Sequence, residues 1–147
     1  MVSSWTLLLL VHLIGLSLAL GAASAKTLLL LRCRKDHAFV PVYLAVARPI
    51  TRLIILGFAA LTLSGIGWLV LGYSFTAVLI AKLILVGAMW VIGPLIDNVA
   101  EPRFAELAPA AGELPSPLFV AARNRYMALE VAATATFYVI VFMWVLL

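Results

Sequence analysis

Charge is scarce in this sequence. Its 147 residues hold ten Lys or Arg and six Asp or Glu, so 11% are charged while 66% are hydrophobic. So few polar groups cannot clothe a water-soluble domain of this length, because most of its surface would be apolar. Cysteine is rarer still. Cys33 stands alone, which excludes an internal disulfide; between Arg32, Arg34 and Lys35 it reads as a free thiol in a basic patch. Histidine occurs only at His12 and His37, and His12 is far from Cys33, which argues against a copper site of clustered Met, His and Cys. No Ser-His-Asp arrangement, phosphate-binding glycine loop or zinc-ligand spacing occurs. The partner this composition implies is a lipid bilayer, not nucleic acid.

What the sequence does contain is long apolar runs. They are continuous rather than alternating and about 20 residues or more in length, the pattern of membrane-spanning helices. A helix satisfies its own backbone polar groups, as a bilayer demands. The expected fold is therefore all-α, an integral membrane four-helix bundle in a single domain covering 1–147. The expected spans are residues 5–31, 49–71, 75–96 and 126–147, with charged loops at 32–48 and 97–125. Residues 38–46 are too short to cross and are expected to extend the first helix or lie in the interface. Trp5 anchors the first span, and Pro49 suits the opening turn of the second. Gly93-Pro94 is expected to kink or weaken the end of the third, and Pro102, Pro109, Pro115 and Pro117 mark a surface connector. Ala23-Ser24-Ala25 resembles a signal-peptide cleavage site, but residues 1–6 carry no Lys or Arg, so this run is read as a retained span.

Lys and Arg set the expected orientation. They concentrate in the two charged loops and their borders, and the turn at Gly72 and both ends of the chain have none. The positive-inside rule then places both loops in the cytoplasm and both termini on the extracytoplasmic side of a bacterial inner membrane.

Ionisable residues within the apolar runs point to a site, because a charge inside a span usually faces the protein and has a partner. His12 lies seven residues from Trp5 and Lys82 seven from Phe75, about 10 Å of helix in each case, so the two share a depth in the outer half. Lys26 and Glu130 lie near the opposite end as an expected structural ion pair. A neutral imidazole with a nearby lysine suits a haem iron, with His12 as metal ligand and Lys82 as second ligand or propionate partner. Arg48 and Arg52 are candidate partners for porphyrin carboxylates, although they sit at the other end of the bundle. The glycine and alanine faces of the first two helices are expected to open the slot.

A histidine early in the first span, an arginine opening the second, the run Leu61-Thr62-Leu63-Ser64-Gly65-Ile66-Gly67-Trp68 and a lysine in the third together resemble HemJ-type protoporphyrinogen oxidases and the related CopD-like four-helix membrane proteins. The approach to the last span, Arg123-Asn124-Arg125-Tyr126 with Glu130, is loosely similar. The resemblance implies haem b on His12, an essential, catalytic role for Lys82, and a redox function in porphyrin biosynthesis, the oxidation of protoporphyrinogen IX. The alternative is a non-enzymatic membrane module: an accessory subunit of a larger membrane complex, a homo-oligomer, or a small ion or metal carrier. It draws on the lack of a recognisable catalytic cluster and on small-residue helix faces that suit a partner as well as a cofactor.

Overall fold

The computed structural model describes residues 3–110 and 113–143. Among them every regular element is helical: α1 (Ser4–Lys35), a 3-10 turn (His37–Phe39), α2 (Val40–Val70), α3 (Ala77–Leu95), a π-helical turn (Ile96–Ala100), α4 (Glu101–Glu106) and α5 (Pro117–Phe142). Because α3, the π turn and α4 run on without a break, four helical rods among the described residues are long and apolar enough to cross a membrane. Their outward faces carry Leu, Ile, Val and Phe exposed to the surroundings, as in a multi-pass membrane protein.

Short polar side chains start these helices. The Ser3 hydroxyl accepts from the Thr6 N–H at 3.2 Å, Thr76 from Leu79 at 3.2 Å, and Ser116 from Phe119 at 3.1 Å. Gly72, at φ 91°, closes α2 in a conformation that a side chain would strain.

The helix bounds differ from the expected spans in three places. The first break falls at Asp36, whose extended backbone leaves the helix while its side chain accepts from the Ala38 N–H at 3.0 Å. Residues 40–48 therefore belong to α2, with Pro41 in the first turn, where a missing N–H is harmless, and Pro49 inside the helix. Pro94 does not end the third rod. The Asn98 amide donates to the Pro94 carbonyl at 2.8 Å, and the Glu101 N–H reaches back five residues to Ile96. The expected loop at 97–125 is thus largely helix, since α5 begins at Pro117 rather than 126. Residues 144–147 of the expected last span lie outside the described residues.

Helices α1 and α2 form the most intimate pair. A Cβ built on Gly57 would lie 2.5 Å from the Ala19 nitrogen, and one on Gly15 would lie 2.8 Å from the Gly57 oxygen. These backbones touch because the small residues let them. Trp90 ties α3 to α2, donating from Nε1 to Thr62 at 3.1 Å and packing on Phe58. Two apolar cores result. One gathers Ala19, Ala23, Phe58, Met89 and Phe137, and the other gathers Leu30, Tyr43, Phe104, Phe119 and Tyr126 at the charged end. On α1, Lys26 falls between them.

Candidate functional site

Lys26 is 1% exposed. Its long side chain leaves α1 about six residues, or roughly 9 Å, before the basic end at Arg32. Four oxygens surround its ammonium. Glu130 Oε1 on α5 lies at 2.7 Å, Glu101 Oε2 on α4 at 2.8 Å, Thr51 Oγ1 on α2 at 2.8 Å, and Asp97 Oδ1 on the π turn at 3.3 Å. Thr51 and Asp97 accept hydrogen bonds from the ammonium, and Glu101 and Glu130 form close ion pairs with it. The Tyr126 ring lies beneath the ammonium at 5.7 Å.

Each of the four rods supplies a member of this cluster. Thr27 and Thr134, whose hydroxyls are 2.8 Å apart, pin α1 to α5 one residue from Lys26 and one turn from Glu130. The π turn carries Asp97 and leads into Glu101, so the widened backbone presents both acids to Lys26. Such turns recur at functional sites. Glu101 also accepts from the Tyr126 hydroxyl at 2.8 Å. With that proton committed, the 2.6 Å bond between the two tyrosines has Tyr43 as its donor. The hydrogen bonds run from Tyr43 through Tyr126 and end on Glu101, whose same oxygen also faces the Lys26 ammonium.

Three carboxylates face one ammonium, and the acids' ligand oxygens lie within 4.8 Å of one another. A divalent cation favours such a group in general, but here the Lys26 nitrogen occupies the centre. With all three acids ionised the cluster would carry two uncompensated negative charges in an apolar setting, which is costly. It therefore has reason to hold protons or a further small cation.

The half of the bundle away from this cluster is plainer. His12 is half-buried; its Nδ1 meets Ser64 Oγ at 2.8 Å, and its ring rests on Trp68 with centroids 4.8 Å apart. Lys82 is near enough to His12 to be felt electrostatically, but it makes no hydrogen bond or ion pair among the described residues. Arg48 and Arg52 are exposed and belong to the opposite end of α2. They lie sixteen and twelve residues from Ser64, or about 24 and 18 Å along the axis, so the structure does not bring them to His12. The glycine faces of α1 and α2, expected to open a haem slot, are instead pressed together at Gly15 and Gly57. His12 suits an axial ligand in its chemistry, yet the slot between these two helices is filled by backbone, so the residues present do not fit a haem there.

Of the residues singled out in the sequence, the structure joins Lys26 with Glu130. It adds Asp97 and Glu101, which a connector reading had placed outside the membrane. Their signal was available in two forms. They are spaced i, i+4 between Pro94 and Pro102, and Lys26 needed compensation at its own depth. No family model matches this chain, and no curated protein or solved structure matches it either. Nothing in these comparisons links it to the HemJ-type or CopD-like proteins.

Proposed function

We propose that this chain is an ion-handling membrane module whose working part is the Lys26–Asp97–Glu101–Glu130 cluster, which takes up and releases a proton or small cation. The observation that carries the reading is a fully buried ammonium set among three carboxylates, with all four rods contributing. A stabilising pair needs one acid; the two extra acids make occupancy variable, which is what a carrier or coupling site requires. The cavity beside Asp97 offers a route by which a proton reaches it. The Lys and Arg distribution supports a cytoplasmic position for this end of the bundle, in a bacterial inner membrane.

Reconstitution into liposomes holding a pH-sensitive dye, with an imposed potassium-diffusion potential, tests this. The wild type is expected to dissipate the potential by proton or sodium flux well above protein-free liposomes, and Glu130→Gln to abolish that flux. Flux no greater than in empty vesicles, or flux unchanged in Glu130→Gln, overturns the proposal. An absorption spectrum of the purified protein tests the other reading. A Soret band that His12→Ala removes would favour haem b on His12, the function the resemblance implies.

A further inference from the structure

Beside the cluster lies a cavity of about 320 Å³, lined by Leu44, Arg48, Asp97, Glu101, Pro102 and Ala105. Its charges are divided. Arg48 is exposed and makes no ion pair among the described residues. Opposite it are Asp97 and Glu101. Asp97 is the open face of the cluster, with its side chain 27% exposed against 12% for Glu101 and 1% for Lys26. Only its Oδ1 is engaged with Lys26. A second, smaller space of about 50 Å³ is also bordered by Asp97 and has Lys26 and Glu130 in its lining. There Glu130, with a side chain 6% exposed, holds its Oε1 2.7 Å from the Lys26 ammonium.

The cavity thus offers a guanidinium on one wall and surplus carboxylate acceptors on the other, at the charged end of the bundle. A ligand matching both walls carries an ammonium with N–H donors and, a few bonds away, an oxyanion that accepts a bidentate guanidinium. We propose that this cavity binds an ammonium–phosphate zwitterion, with its primary ammonium on Asp97 and Glu101 and its phosphate on Arg48. The proposal goes beyond the reading of the cluster as an ion site: it assigns a second ligand to the cavity beside it, which shares Asp97 and Glu101 with the cluster. Two sources share this chemistry: the headgroup of an aminophospholipid in the adjacent leaflet, and a soluble phosphoamine.

The full-length protein in detergent, examined by native mass spectrometry with phosphatidylethanolamine, phosphatidylcholine and phosphatidylglycerol of equal chain length, provides the test. Phosphatidylethanolamine is expected to bind at least tenfold more tightly than the other two. Phosphatidylcholine lacks N–H donors, and phosphatidylglycerol lacks the cation. Asp97→Asn, which removes a charged acceptor for the ammonium, should erase the preference; Arg48→Met should weaken binding of all three lipids, and the exposed Arg34→Met should leave it unchanged. Added phosphoethanolamine that displaces the lipid assigns the soluble source; lipid retained against it assigns the leaflet. Equal binding of the three lipids, a preference unchanged in Asp97→Asn, or binding undiminished in Arg48→Met overturns the inference. Ion flux measured in vesicles free of phosphatidylethanolamine separates the two readings. Flux that depends on Glu130 alongside failed lipid selectivity sinks only the cavity proposal. Selectivity that depends on Asp97 alongside absent flux sinks only the transport reading.

Discussion

Replacing Lys26 with methionine would leave Asp97, Glu101 and Glu130 facing one another across an apolar gap. Removing one partner of a buried ion pair typically costs about 3–5 kcal/mol, because the orphaned charge stays desolvated. Lys26→Met is therefore expected to lower the detergent-solubilised melting temperature sharply. Adding Glu130→Gln should recover part of the loss, since the two residues are in contact and their effects do not add. A double variant no more stable than Lys26→Met would show that Glu130 is not the partner that matters. Tyr126→Phe makes a gentler probe. It removes the donor to Glu101 and the acceptor for Tyr43, both buried, and should cost about 1–3 kcal/mol in the same measurement. Lys82 behaves differently from Lys26. It has no ion pair among the described residues, so Lys82→Leu should leave melting unchanged or raise it. At this scale the sequence placed Lys26 and Glu130, opposite in sign, at similar depth as an expected pair. The i, i+4 spacing of Asp97 and Glu101 was there to be read, but not that both face Lys26, because the geometry of a π turn after a proline is not written in hydropathy.

Among the elements, the α1–α2 pair is the most demanding. At Gly57 an added methyl would press on backbone atoms of α1, which no rotamer change relieves. Gly57→Ala is expected to cost about 1–3 kcal/mol, the usual range for overpacking. Gly87 on α3 has open space where its Cβ would lie. Gly87→Ala should be neutral or stabilise by about 0.5–1 kcal/mol through lost backbone freedom in the unfolded chain. Denaturant titration in mixed micelles compares the two, and equal effects would contradict the observed packing. The small-residue face was legible in the sequence as a close-approach surface. What approached it was not, since a glycine stripe admits a helix or a cofactor alike. The third rod teaches the same lesson. Gly93-Pro94 marks a backbone disturbance, but whether the chain stops there or passes through it depends on Asn98 and on the packing of Phe104 against Tyr126.

Seen whole, the molecule is four apolar rods with their Lys and Arg, Lys82 apart, gathered towards one end. Labelling of single cysteines in a Cys33→Ser background checks the topology. Ala108→Cys, in the segment after α4, should react only with reagent on the cytoplasmic side, and Ser74→Cys, in the turn after α2, only from the opposite side. Reaction of both from one side would overturn the even, four-crossing arrangement. Composition and run length alone determined that the chain is helical, that four segments are apolar enough to span, and where charge accumulates, because those properties depend on solvent transfer and are summed residue by residue. Which charges meet, where helices join through prolines, and which small faces close on each other were decided only in the tertiary structure. These depend on the rotation and depth of each rod against its neighbours, and a buried ammonium selects its oxygens from whatever those rotations bring within about 3 Å.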